Sequence, residues 1–235
     1  GKVPQVPEVI EIDRHQARLK RMRLSVSSAA GLLQDEAVDG GRRGKAAMVT
    51  LTYRPEDAWE PGQVTAFVRC VREYLRRRAL PCRFVWVLEL TQAERPHYHV
   101  LFWLPRGLTL PNPDKQGWWP HGLTRIEWAR SPVGYLVKYA SKGIDGGELP
   151  KGARLSGCGG LSKAARAVRS WRLCPGWVRE VFSVEDRPVR APGGGWLSRL
   201  TGAFEAARWA LVAHAPDWSW VRFGPVGGEV SGCPA

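Results

Sequence analysis

Two groups of side chains in this 235-residue chain have the types and the spacing to do chemistry together. The first is Glu89, His97 and His99, which can hold a divalent cation. Residues at i and i+2 on a strand share a face, so His97 and His99 project to one side. The sequence around them reads as a strand from Val85 to Leu90, a polar turn ended by Arg95-Pro96, and a strand from His97 to Leu104. Antiparallel pairing across 91–96 sets Glu89 opposite His97 and Val87 opposite His99, so a carboxylate and two imidazoles converge on one patch. The alternate positions, Trp86, Leu88, Tyr98, Val100, Phe102 and Leu104, are apolar or aromatic and can pack on a core. Two nitrogens and one oxygen leave half of an octahedron open, which suits Mg²⁺ or Mn²⁺ with waters and a phosphate oxygen better than a closed zinc site. The competing account is a pair of half-buried strand histidines bonded to their neighbours. It suits a lone His better than a His-x-His that follows an acid at the base of a hairpin.

The second group is Tyr135, Lys138, Tyr139 and Lys142, spaced i, i+3, i+4 and i+7, which is one stripe of a helix. Val133, Leu136, Val137 and Ala140 take the opposite side as an anchor. Ser131 and Pro132 supply an N-cap and a first helical residue, and Gly143 a stop. The stripe has charge of one sign only, so it is no salt-bridge ladder. A tyrosine oxygen can attack a phosphodiester once its proton is lost or shared. A neighbouring Lys⁺ favours the phenolate, and a divalent metal polarises the phosphate oxygens.

Other elements must position these groups. Ala46–Tyr53 is a strand rich in β-branched residues. Val64, Phe67, Val68, Val71 and Leu75 mark a helix from about Pro61 to Arg78. Arg69, Arg72, Arg76, Arg77 and Arg78 on its outer face meet only Glu73, a candidate phosphate rail, although a solvated arginine face is the commoner outcome of such a run. In the loop from Pro105 to Pro120, Trp118 and Trp119 either cap the core or offer a stacking platform to an unpaired base. Leu123–Trp128 is a further strand, with Thr124, Ile126 and Trp128 on one face and Leu123, Arg125 and Glu127 on the other.

The organisation follows: a basic amphipathic helix and connector over 1–45, a core over 46–143, an extension over 144–190 and a tail over 191–235. The extension contains a basic Gly-rich loop with Arg154, then a helix bearing Lys163, Arg166 and Arg169, and is expected to contact DNA. The tail is expected to hold a short helix, Trp196 to Val212, and a strand, Trp218 to Phe223.

The balance of 35 Lys and Arg against 22 Asp and Glu gives +13, and it comes with 12 tryptophans. A basic surface with aromatic side chains suits single-stranded nucleic acid before membrane or protein. No apolar run approaches the roughly 18–20 residues that cross a bilayer. The five cysteines form no C-x-x-C pair, which fits a reducing compartment and argues against a disulfide framework.

The strand Met48–Tyr53, then Glu89 with His97-Tyr98-His99, then Tyr135-x-x-Lys138-Tyr139-x-x-Lys142, in that order, resembles the rolling-circle replication initiators of the HUH endonuclease superfamily. Two tyrosines four apart resemble the replication proteins of single-stranded DNA phages, the filamentous kind above all. Tyr98 stands where that family usually carries an aliphatic residue, and its side chain belongs to the opposite face. The resemblance implies an α+β fold with a five-stranded antiparallel sheet and packed helices, related to ferredoxin-like and RNA-recognition cores, followed by a C-terminal extension. It implies Glu89, His97 and His99 as ligands of Mg²⁺ or Mn²⁺, Tyr135 and Tyr139 as alternating nucleophiles, and Lys138 and Lys142 as their assistants. The reaction would be nicking and rejoining of a plus-strand origin through a 5′-phosphotyrosine, leaving a 3′-hydroxyl. Its setting would be a bacterial cytoplasm, beside the host helicase and polymerase. Two other readings stay open: a non-catalytic single-stranded nucleic-acid-binding module, and a two-tyrosine transposase that shares the motif order.

Overall fold

The computed structural model describes residues 9–39, 42–91, 93, 95–142 and 152–224. The chain divides into two compact units, residues 22–169, and residues 1–21 together with 170–235. In chain order its elements are β1 (Val9–Asp13), α1 (Arg14–Glu36), β2 (Val38–Asp39), β3 (Arg42–Arg43), β4 (Lys45–Leu51), α2 (Gln63–Arg76), β5 (Arg83–Leu90), β6 (Pro96–Leu104), β7 (Thr124–Ala129) and α3 (Pro132–Lys142). There follow β8 (Ser156–Gly159), α4 (Lys163–Arg172), α5 (Gly176–Val181), β9 (Val189–Arg190), β10 (Trp196–Leu197), β11 (Phe204–Glu205), β12 (Trp209–His214) and β13 (Trp218–Phe223).

Residues 22–169 are built on a five-stranded sheet in the order β7-β4-β6-β5-β8, antiparallel at every pair. Period-two alternation sorts its side chains onto two faces. Ala47, Val49 and Leu51 of β4, Phe84, Trp86 and Leu88 of β5, and Tyr98, Val100 and Phe102 of β6 form the main core. Helix α2 closes that core with the predicted stripe Val64, Phe67, Val68, Val71 and Leu75. Tyr98 lies in this core with its phenol oxygen accepting a hydrogen bond from Trp59 Nε1 (2.7 Å), so its polar end is satisfied. The opposite face carries Thr50, Val87, Glu89, His97 and His99. Helix α3 lies against β5 and β6, and Trp103 donates to Gln34 of α1 (2.9 Å).

The fifth strand was not legible as one. Residues 156–159, expected in a Gly-rich loop of a DNA-contacting extension, pair instead with β5 as an edge of the sheet, so the sheet continues past residue 143. Glycine is what admits the strand. Gly157 lies opposite Trp86 and Gly159 opposite Phe84, and a Cβ would sit 2.6 Å from the Trp86 ring or 2.5 Å from the Phe84 ring. Gly143 and the start of the expected extension, 144–151, lie outside the described residues.

The second unit contains two small sheets, β1-β13-β12 and β11-β10-β9. Strand β1 pairs with β13 from Val9↔Arg222 to Asp13↔Trp218, which ties the N-terminal segment to the end of the described chain. Cys174, Val178 and Phe182, with Trp177 and Trp196, make its apolar cluster. The expected strand at Trp218–Phe223 is present, but the expected helix over 196–212 is not, and three strands take its place. Ser198 Oγ accepts from the backbone N–H of Leu200 (3.2 Å) and Thr201 (3.1 Å), and Gly202 follows at φ +77°, so the chain turns where a helix would have run on. Among the described residues no helix is long and apolar enough to cross a membrane.

Candidate active site

The β5–β6 hairpin has the register that strand alternation predicts, with Glu89 opposite His97 and Val87 opposite His99. Glu89 Oε2 and His99 Nε2 are 2.6 Å apart, and both side chains are largely buried. On its other side His99 is paired across β4 with Thr50, whose Oγ1 stands 3.3 Å from Nδ1. A neutral imidazole has one N–H. When Nε2–H donates to Glu89, Nδ1 accepts from the threonine hydroxyl; when a cation takes the Nε2 lone pair, Nδ1–H donates to the same oxygen. A hydroxyl can fill both roles, so Thr50 fixes the ring in either state.

His97 is half-buried. Burial first, and the neighbouring His99 second, pull its pKa below the usual histidine range, against an upward pull from Glu89. The neutral imidazole, with a lone pair to give, is the favoured form. Chemically the donor set fits Mg²⁺ or Mn²⁺, and a cation shared by Glu89 and His99 would replace the hydrogen bond that now joins them. Among the described residues no three His, Cys, Asp or Glu side chains already stand together as a metal centre. Glu89 and His99 are brought into contact, and His97 is their neighbour in the register without being part of it.

Helix α3 brings a phenol to this pair. Tyr139 stacks on the His99 ring at 3.7 Å between centroids and 12° between planes. Its pKa is raised, first by burial, then by the carboxylates Glu89 and Glu127 and by Tyr135, with Arg125 opposing. Leu136 is fully buried and anchors the helix, while Tyr135 is 44 % exposed, and Lys138 is exposed. The two tyrosines of the stripe therefore differ, one docked on the histidine and one open to solvent. Lys142 belongs to α3, but its side chain lies outside the described residues.

Two charged residues outside the motifs join the site. Arg125 of β7 pairs with Thr50, which pairs with His99, so the three form one cross-strand row on this face. Arg125 Nη2 bonds Glu127 Oε1 at 2.8 Å in an exposed pair. The signal was present in the alternation of β7, which sends Arg125 and Glu127 away from Ile126. What the sequence lacked was the strand order that makes β7 the neighbour of β4.

The basic residues expected to contact DNA are distributed unevenly. Arg69, Arg154, Lys163 and Arg166 are exposed. The Arg72 guanidinium lies over the Phe84 ring at 5.9 Å, and Arg76 makes a two-pronged ion pair with Glu73, 2.8 Å at each contact. Arg169 Nη2 donates to Ser25 Oγ at 2.6 Å, tying α4 to α1. Of the two loop tryptophans, Trp119 is 1 % exposed in the core, its Nε1 donating to Thr52 O at 2.8 Å. Trp118 is partly exposed beside Tyr74. Each alternative for the pair holds for one residue.

A five-stranded antiparallel sheet with helices packed on it, bearing Glu89, His97 and His99 on the face where α3 docks, is an α+β fold consistent with that of the HUH endonucleases. Residues 46–144, from β4 through α3, match the model of a family of replication-associated proteins of the ORF2 type, which supports a role in initiating replication. No curated protein and no solved structure matches the chain.

Proposed function

We propose that the protein initiates replication by nicking single-stranded origin DNA through a tyrosine nucleophile, with a divalent cation held by Glu89, His97 and His99. The observation that carries the reading is the stacking of Tyr139 on His99, which bonds Glu89 in turn. A phenol, an imidazole pair and a carboxylate have no need to meet on an open sheet face unless they share a substrate. The bound cation would supply charge to the non-bridging phosphate oxygens and to the departing oxygen.

The chain's own residues do the rest. Tyr139 Oη bonds phosphorus while the P–O3′ bond breaks, the 5′-phosphate stays on the tyrosine, and the 3′-oxygen leaves as a hydroxyl after taking a proton from solvent. The phenol proton needs an acceptor outside the ligand set, and Glu127 acts on Tyr139 electrostatically from β7. Arg125 and Lys138 stabilise the phosphate charge. Burial and two carboxylates keep Tyr139 protonated until cations arrive, so the nucleophile is quiet without its substrate and metal. Tyr135 is the second nucleophile, which returns the strand by the reverse transfer. The bond energy stays in the phosphotyrosine, so no nucleotide hydrolysis is required.

The test is cleavage of a labelled single-stranded origin oligonucleotide with Mn²⁺. The wild-type chain should cut, and the His97→Ala/His99→Ala variant should bind the oligonucleotide about as well without cutting it. Binding without cutting by the wild type, across several candidate origins and both metals, would replace this reading with that of a binding module.

A further inference from the structure

A second place on the molecule combines cations with an accessible aromatic surface, and it is on the other face of the sheet. The end of α2 and the loop over 105–120 enclose an open cleft of about 770 Å³, within the size range of organic ligand sites. One wall is two adjacent rows of α2, Arg69, Glu73 and Arg77 beside Tyr74 and Arg78, each repeating every fourth residue; the other wall carries Trp118. The rings of Tyr74 and Trp118 meet edge to face, 5.3 Å apart and inclined at 61°. The Arg78 guanidinium lies 3.7 Å from the Tyr74 centroid and donates to the Tyr74 carbonyl at 2.9 Å.

The bland account is that arginines at the end of a helix satisfy its free carbonyls and its dipole. It explains one hydrogen bond of Arg78. It does not explain Arg69, which lies two turns earlier, beyond the reach of that effect. Nor does it explain why Trp118 stays partly exposed while its neighbour Trp119 is buried. The acid that lines the cleft, Glu73, is already shared by Arg76 (2.8 Å) and Arg77 (3.0 Å), so the surface remains positive.

We propose that this cleft is a second site for single-stranded DNA, holding an unpaired base against Trp118 and Tyr74 and its flanking phosphates against Arg69, Arg77 and Arg78. A base inside a duplex cannot offer its face to a tryptophan, so the aromatic wall selects an unpaired strand, and the excess of guanidinium selects a polyanion. Because α2 covers the face opposite Glu89 and His99, the nucleotide held here is not the one being cut. The cleft retains DNA whether or not the scissile phosphate is engaged. It rests on the proposed nicking function only for the choice of DNA as the polyanion.

The experiment uses the full chain and an oligothymidylate carrying 5-iodouracil, irradiated and mapped by peptide mass analysis, together with fluorescence anisotropy of a labelled oligothymidylate. A cross-link to Tyr74 or Trp118 is expected, and it should persist in the His97→Ala/His99→Ala variant. Trp118→Ala should weaken binding about 5- to 100-fold, the loss that one base–aromatic stack accounts for. Arg77→Ala/Arg78→Ala should also flatten the salt dependence, by a slope of about 0.7 for each phosphate no longer neutralised. Trp118→Phe, which keeps both packing and a stacking surface, should bind much as the wild type does and so separates stacking from misfolding. Cross-links confined to other segments, with both cleft variants binding like the wild type, overturn the proposal even if nicking is intact. A cleft cross-link in a protein that never nicks supports the cleft and refutes the proposed nuclease instead.

Discussion

Thr50 illustrates how one side chain governs a site without being its reactive group. Its hydroxyl contacts the nitrogen of His99 that faces away from Glu89, so it sets which nitrogen carries the proton and how the ring is aimed. Thr50→Val keeps the shape of the side chain and removes the hydroxyl. Such outer partners of a metal-binding histidine account for roughly 10- to 100-fold in metal affinity or activity, and a loss of that size, rescued in part by Thr50→Ser and with little change in Tm, is expected in Mn²⁺ titrations of nicking. The two tyrosines should also separate. Tyr139→Phe should remove the covalent adduct, whereas Tyr135→Phe should leave first-strand cleavage and impair rejoining, as a gel assay of both half-reactions would record. The hairpin half of this site was legible in the sequence because period two fixes which residues share a face. Thr50 and Arg125 were not, since their place beside His99 depends on strand order, which local periodicity does not contain.

At the scale of elements, the central sheet depends on backbone approach as much as on apolar burial. Helix α2 was legible from its five-residue stripe, and replacing its fully buried Phe67 by Ala should cost about 3–5 kcal/mol, the usual range for such a truncation. Strand β8 escaped notice because glycine is depleted in strands and common in loops. Its glycines lie under Trp86 and Phe84, so Gly157→Ala forces a buried ring to shift. Overpacking of this kind costs about 1–3 kcal/mol. Thermal denaturation should register it as a lowered Tm, while an alanine at exposed Gly176, which meets nothing within 4 Å, should be far milder. The absent helix at 196–212 is the reverse case: apolar residues at permissive spacing were overruled by the Ser198 turn and Gly202.

For the whole molecule, a net charge of +13 makes phosphate contact the natural source of affinity, so binding to single strands should fall steeply with salt. A flat response between low and physiological salt would remove the basic surface from the account. Charge alone was a poor guide to which residues take part, because Arg76 and Arg169 are engaged within the protein while Arg69, Arg154, Lys163 and Arg166 are open to solvent. The central claim is narrower than binding: a phenol stacked on His99 attacks phosphorus with the help of a cation held beside it. Its most direct measurement is peptide mass analysis after incubating the chain with a single-stranded origin oligonucleotide and Mn²⁺. A 5′-phosphotyrosine on Tyr139 that fails to form in the presence of a chelator is the predicted result. An adduct on another residue, or one that forms equally well with chelator present, would contradict the account.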